Sequence, residues 1–289
     1  MKRVGFFCFE EKNNDCRRQR MMKVLIVIMM AGMWCMQPEK ASAADPVIRV
    51  ILTTTDFNSR YHQEITVSYD GKEITYTAEE VKKQGDKVRI PAQKDGIRIL
   101  SIQRQSGTPV YDGSIEIIPK EEGLIIVNEL FLEKYLTRVV PSEMPATYEK
   151  EALKAQAVAA HTYAERQHLL EQSHPTAELC GADFSNDSSQ YQACFTENQA
   201  RQYYGDNFEA SYAKITAAVD EVLPYVLEYD GTPIIAAFCS MSAGTTESAE
   251  TVWGSKVEYL VPVESEADTS APRYLETASF TGEEFQAAV

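Results

Sequence analysis

Pro141 and Pro145 stand four residues apart in the segment 128–166, NELFLEKYLTRVVPSEMPATYEKEALKAQAVAAHTYAER, and they restrict the chain more tightly than any other feature. Each ring fixes its own φ and pushes the residue before it, Val140 or Met144, out of the α region. A first amphipathic helix is therefore expected to stop there, with PSEMP forming a stiff non-helical bend that presents Glu143 at its apex. The sequence neighbours of Glu143 include the apolar Val140 and Met144. A carboxyl held against such groups has its pKa raised and can serve as a general acid near neutral pH, whereas a solvated turn glutamate cannot.

A second helix is expected over residues 149–172. Leu153, Ala157, Ala160 and Ala164 form one stripe on it, and Ala152, Ala155 and Ala159 an adjoining one. So many alanines permit close approach of neighbours on more than one side, which places this helix centrally, beside the Glu143 bend. Gln156 and Tyr163 are its candidates for polar contacts.

Upstream, residues 46–120 read as β structure. Ile48, Val50 and Leu52 alternate with Arg49, Ile51 and Thr53, spoiled only at Ile51, and 64–69 faces 73–76 across Asp70-Gly71, a strong hairpin signal. Further strands are expected at 87–90, 97–103, 114–118 and 124–127. With no His, Cys or paired-acid cluster, this region (44–127) reads as scaffold, with a carbohydrate-binding module as the alternative.

Downstream, 174–205 reads as an irregular loop rich in Asp, Asn, Ser and Gly. A helix is expected at 212–223, and strands at 225–229 and 234–238 about Asp230-Gly231. The run Cys239-Ser240-Met241-Ser242-Ala243-Gly244-Thr245-Thr246 offers hydroxyls at Ser240, Ser242 and Thr246 before and after a turn glycine. No G-x-S-x-G elbow accompanies it, so a serine hydrolase is set aside. Trp253 reads as a core residue rather than a sugar platform. Cys180 and Cys194 are close enough in sequence to pair in an oxidising compartment, leaving Cys239 as a free, buried thiol.

Composition excludes some classes. The 289 residues, 44% hydrophobic and 25% charged, are those of a globular chain. Net charge is −15 overall and +4 over residues 1–43, hence −19 beyond them. Nucleic acid is therefore not an expected partner. Arg17, Arg18, Arg20 and Lys23 precede an apolar run at 24–36 and then Ala41-Ser42-Ala43, the pattern of an export leader, cleaved or retained as an anchor, possessing an over-called extension if Met21 or Met22 is the start.

The strings VNELFLEKYLTRVVPSEMP and EALKAQAVAAHTYA, resumed by IIAAFCSMSAGTTESAETVWG, resemble the stage II sporulation protein D family, peptidoglycan lytic transglycosylases whose relatives include amidase-enhancer proteins. Weaker similarity covers most of residues 47–285. The resemblance implies that Glu143 is the catalytic acid, with glycan contacts at Gln156, His161, Tyr163, Gln192, Ser240, Ser242 and Thr246. It also shows departures: His161 stands where the family usually has arginine, and Cys239 where it has histidine. Ser188, Ser189 and Gln190 replace a zinc-binding His/Cys cluster, so no structural zinc and no cofactor are expected; His174, Asp183 and Asp187 remain as the other ligand types nearby. The chain also stops at Val289, where the family normally continues.

The expected fold is α+β, with an N-terminal β-rich part, a central helical pair about the proline-bracketed bend and a mixed α/β C-terminal part, the catalytic core running over 128–289. The expected activity is cleavage of the β-1,4 bond between N-acetylmuramic acid and N-acetylglucosamine in glycan strands. Partners would be those strands and a cell-wall amidase, with the membrane reached only through the N-terminal segment. The alternative is a non-catalytic wall-binding or amidase-enhancing module.

Overall fold

A computed structural model describes residues 46–272, 274–275 and 277–288; the leader, with Cys8, Cys16 and Cys35, lies outside the described residues. The chain is α+β and separates into two compact units at Val226/Leu227. Among the described residues no helix is long and apolar enough to cross a membrane.

In the first unit, β1 (Val47–Leu52) runs antiparallel to β8 (Leu124–Phe131) inside a five-stranded sheet. Its other members are β4 (Val88–Ile90), β7 (Ser114–Pro119) and the two-residue β9 (Phe184–Ser185), in the order β4-β7-β8-β1-β9. A second sheet holds β2 (Glu64–Tyr69), β3 (Lys72–Thr77), β5 (Ile97–Ile99) and β6 (Val110–Tyr111), in the order β3-β2-β5-β6. The β2–β3 hairpin turns at Asp70 and Gly71, both at positive φ (49° and 68°), which suits the right-handed twist of the flanking strands.

Strand alternation distributes the core. Ile48, Val50 and Leu130 face one cluster with the helices, while Leu52, Leu124 and Ile126 face another shared with the second sheet. The opposite face carries Ile51, Ile125 and Val127, packed under Leu179 and Ala182. Ile51, which breaks the apolar alternation of β1, thus fills a small cluster on the far side of the sheet. On that same face Arg49 donates to Glu116 and Glu129, and its backbone N–H to Asp183.

Two helices were not foreseen in the sequence reading: α1 (Ala78–Gln84) and α4 (Glu197–Tyr204), the latter inside the stretch expected to be irregular. Both open with a capping box, Thr77 with Glu80 and Thr196 with Gln199, a local signal that was present in the sequence. The expected helices form as α2 (Leu132–Glu143), α3 (Lys150–Ser173) and α5 (Phe208–Val222), which pack on one another around Leu136, Val139, Ala157, Ala160, Ile215 and Val219.

The expectation that PSEMP is non-helical is corrected. Pro141, Ser142 and Glu143 continue α2, which ends only at Met144 (φ −141°, ψ 125°), the residue before Pro145. Pro141 falls in the last turn, where its missing N–H costs one hydrogen bond at most; Val140 and Pro141 are both buried, and their packing outweighs the pre-proline preference. Pro145 is the ring that stops the helix. The helix begins only at Leu132, because Asn128–Phe131 belong to β8, where Asn128 Nδ2 donates to the carbonyls of Asp112 and Ser114.

The second unit holds a short hairpin, β10 (Glu228–Tyr229) and β11 (Thr232–Pro233), turned at Asp230-Gly231, and two short helices, α6 (Ala249–Trp253) and α7 (Gly282–Ala288). The hairpin is two residues a side, shorter than the strands expected at 225–229 and 234–238. Cys239 is exposed rather than buried, and Trp253 is 52% exposed at the end of α6 rather than in a core.

Candidate functional site

Glu143 is the last residue of α2 and is half-buried. Its position is held from outside the helix. The Ser142 hydroxyl lies 2.7 Å from the Val139 carbonyl and 2.8 Å from that of Ala193, and the Glu143 carboxylate accepts a hydrogen bond from the Ala193 backbone. Two consecutive helix residues thus grip one residue of the 186–196 loop. Burial raises the pKa of Glu143, and the Ala193 bond offsets only part of that. The shift comes from desolvation and not from a second carboxylate.

The same loop brings Gln192 to the site. Its Oε1 accepts from the Tyr135 hydroxyl at 3.1 Å, and its backbone bonds the Tyr163 hydroxyl, which also meets the Gln167 side chain. Tyr135, Tyr163 and Tyr191 surround Phe184 with centroid separations of 5.3, 6.1 and 6.1 Å, so β9, α2, α3 and the loop share one aromatic cluster. Burial pushes the phenols of Tyr135 and Tyr163 up, keeping both neutral. Tyr135 and Phe195 are members of this neighbourhood that the sequence reading did not single out; Phe195 joins through its N–H to the Arg138 carbonyl at 3.0 Å.

The remaining sequence candidates sit differently. Gln156 is buried on α3, seven residues before Tyr163 and so on the same helical face, and its Nε2 has no partner among the described residues. His161 lies elsewhere on the helix. It is bonded to the Tyr225 backbone, its Nδ1 has no partner among the described residues, and burial lowers its pKa despite nearby Glu165, so it is neutral at pH 7. In the second unit, Ser242 donates both N–H and hydroxyl to Asp268 at 2.7 and 2.6 Å, and Thr246 exchanges hydrogen bonds with the Val263 backbone. Both support a turn. Ser240 is exposed on the same run.

The expected Cys180–Cys194 crosslink does not form: both are free thiols. Cys180 packs beside Leu179 on the Ile51 face of the sheet, whereas Cys194 packs with the helices on the Val50 face. Nearness in sequence is overridden because the sheet runs between them. Among the described residues no three His, Cys, Asp or Glu side chains gather as a metal site; Asp183 is held by Arg49 and His168, and Asp187 caps its own turn through Ser189 and Gln190.

Fold and site together define an α+β protein with one desolvated carboxyl at a helix terminus, clamped by a loop that also carries a glutamine and aromatic rings. Residues 120–229 match the family model described as SpoIID, stage II sporulation protein. The chain is 39% identical over 160 residues to stage II sporulation protein D of Bacillus subtilis, covering 55% of this chain and 46% of the relative. Against the protein of the same name from Bacillus amyloliquefaciens the identity is 37% over the same shares. An amidase enhancer of Bacillus subtilis is 33% identical over 138 residues, 48% of this chain and 16% of the relative. The chain thus spans about half the length of the stage II sporulation proteins D it matches.

Proposed function

We propose that this chain is a peptidoglycan lytic transglycosylase acting in sporulation and cell-wall remodelling, exported by its N-terminal segment and working on the outer side of the membrane. The observation that carries the reading is the Glu143 carboxyl, whose pKa is raised by burial with no second carboxylate contributing. Hydrolytic glycosidases use two carboxyls, one of them to activate water or to attack. A lytic transglycosylase manages with one. Glu143 gives its proton to the glycosidic oxygen as the bond to C1 of N-acetylmuramic acid breaks; the 6-hydroxyl of that same sugar then bonds to C1 and returns its proton to the carboxylate. The product is a 1,6-anhydro sugar, and the acid is regenerated without water or cofactor. Gln192, which precedes the Ala193 bonded to this acid, and Tyr163, bonded to the Gln192 backbone, serve as substrate contacts in this reading, together with Gln156 on the same helical face as Tyr163. His161, Ser240, Ser242 and Thr246 are assigned to the substrate by family resemblance. No structural zinc is required.

The amidase-enhancer similarity favours a second reading, a non-catalytic module that assists a cell-wall amidase. Mass spectrometry of products from purified glycan strands separates the two. Anhydro-muramic ends support the transglycosylase, reducing N-acetylmuramic acid ends point to a hydrolase, and no soluble product favours the module.

A further inference from the structure

Two clefts of the first unit meet at Tyr203. One begins two residues after Glu143 and is lined by Pro145, Thr147, Asn207, Ser211 and Lys214 together with Tyr203. The other continues from Tyr203 along Gln103, Arg104, Gln105, Ser106 and Gln202. No aspartate or glutamate lines either cleft, although the chain carries 43 acidic residues against 28 basic ones. The charges that line them are Arg104 and Lys214.

We propose that these clefts form one groove that holds an acidic glycan strand on the Pro145 side of Glu143, with a sugar ring on Tyr203 and a sugar carboxylate toward Lys214; this rests on the glycan reading above and adds to it a specific surface. Tyr203 is 56% exposed yet braced, by Phe195 at 5.8 Å and edge-on by Tyr204 at 4.9 Å. A ring fixed on one side and open on the other offers apolar area at small entropic cost, which suits the C–H face of a sugar. Around it stand amides and hydroxyls rather than charges, the groups that match sugar hydroxyls and acetamides.

Lys214 sets the polarity. Its ammonium donates to the carbonyls of Ala146 (2.8 Å) and Tyr148 (2.6 Å) and pairs with no carboxylate among the described residues. Two of its three protons fasten the turn that follows Glu143, and the third, with the full charge, remains for a ligand. In a chain this acidic, a groove free of carboxylates avoids repelling the lactyl carboxylates of muramic acid.

The test uses the full chain carrying Glu143→Gln, so that bound strands stay intact, and measures binding to peptide-stripped glycan strands and to chitin oligosaccharides of equal length, which lack the lactyl carboxylate. Adding Tyr203→Ala is expected to weaken both ligands roughly tenfold, while Tyr203→Phe retains binding. Lys214→Gln is expected to erase the preference for the acidic strand. Thermal melting verifies that each variant is folded. Binding by the Tyr203→Ala variant within about twofold of its parent, or an acidic preference that survives Lys214→Gln, would overturn the groove assignment while leaving the glycan reading in place. If the Glu143→Gln parent binds neither ligand, the glycan reading itself fails, and the groove with it.

Discussion

The Ser142 hydroxyl meets the carbonyl of Ala193 at 2.8 Å while the neighbouring Glu143 carboxylate accepts from the Ala193 backbone. Fifty residues of chain separate the partners, so the orientation of the acid depends on the 186–196 loop as much as on its own helix. That loop also brings in Gln192 and, through Tyr191, joins the Phe184 cluster.

Replacing Glu143 by Gln preserves shape and removes the proton. Loss of general acid catalysis is expected to lower glycan cleavage by about 10² to 10⁴-fold. Counting anhydro-muramic ends by mass spectrometry checks this, and activity within about tenfold of wild type would remove Glu143 from the mechanism.

The same substitution has a pH signature in stability. The folded pKa of Glu143 is raised by burial, so its favourable contribution is complete below the unfolded value of about 4.5 and is lost as pH rises through the folded pKa. Glu143→Gln is therefore expected to be at least as stable as wild type at pH 7, with that relative advantage disappearing below about pH 4.5. Urea midpoints of both proteins across pH 4 to 8 measure it, and a variant clearly less stable at neutral pH would contradict the assignment.

Glu116 behaves oppositely. Its side chain is 2% exposed; burial alone would raise its pKa, but hydrogen bonds from Arg49, Lys87 and Arg89 outweigh this and hold it at about 2. Its contribution is present above the unfolded pKa and lost as pH falls from about 4.5 toward 2. Glu116→Gln is expected to cost on the order of 3 kcal/mol at neutral pH, with the difference shrinking in acid. Denaturant unfolding at pH 7 and pH 3 tests both halves.

Cys194 is half-buried, and burial pushes its thiol up to about 11. It is expected to resist alkylation in the native protein and to react on unfolding, whereas exposed Cys239 reacts at once. Peptide mapping after alkylation in denaturant, without reductant, should find Cys180 and Cys194 both modified. A Cys180–Cys194 disulfide in that map would mean that the sheet does not divide them.

Several features of this protein are local and were legible in its residues. Asp70-Gly71 specified a hairpin because both positions need positive φ; the alanine stripes specified the helix at 150–173; the resemblance carried by PSEMP singled out Glu143. Dihedral preference and periodicity act over a few residues, so these signals survive without knowledge of the rest of the chain. The helices at 78–84 and 197–204 were equally local, written in capping boxes at Thr77 and Thr196. Other features were settled by contacts between distant segments. Whether Pro141 ended α2 depended on the packing of Val140 and Pro141 in the core; whether Cys180 met Cys194 depended on the strand running between them; the raised pKa of Glu143 depended on burial beside Ala193. Arg49 and Asp183, 134 residues apart, join the segment before β9 to the sheet in the same way. Burial is a property of the assembled chain, since desolvation and close packing exist only once remote segments exclude water together, and a residue's neighbours in sequence do not determine which remote atoms those will be.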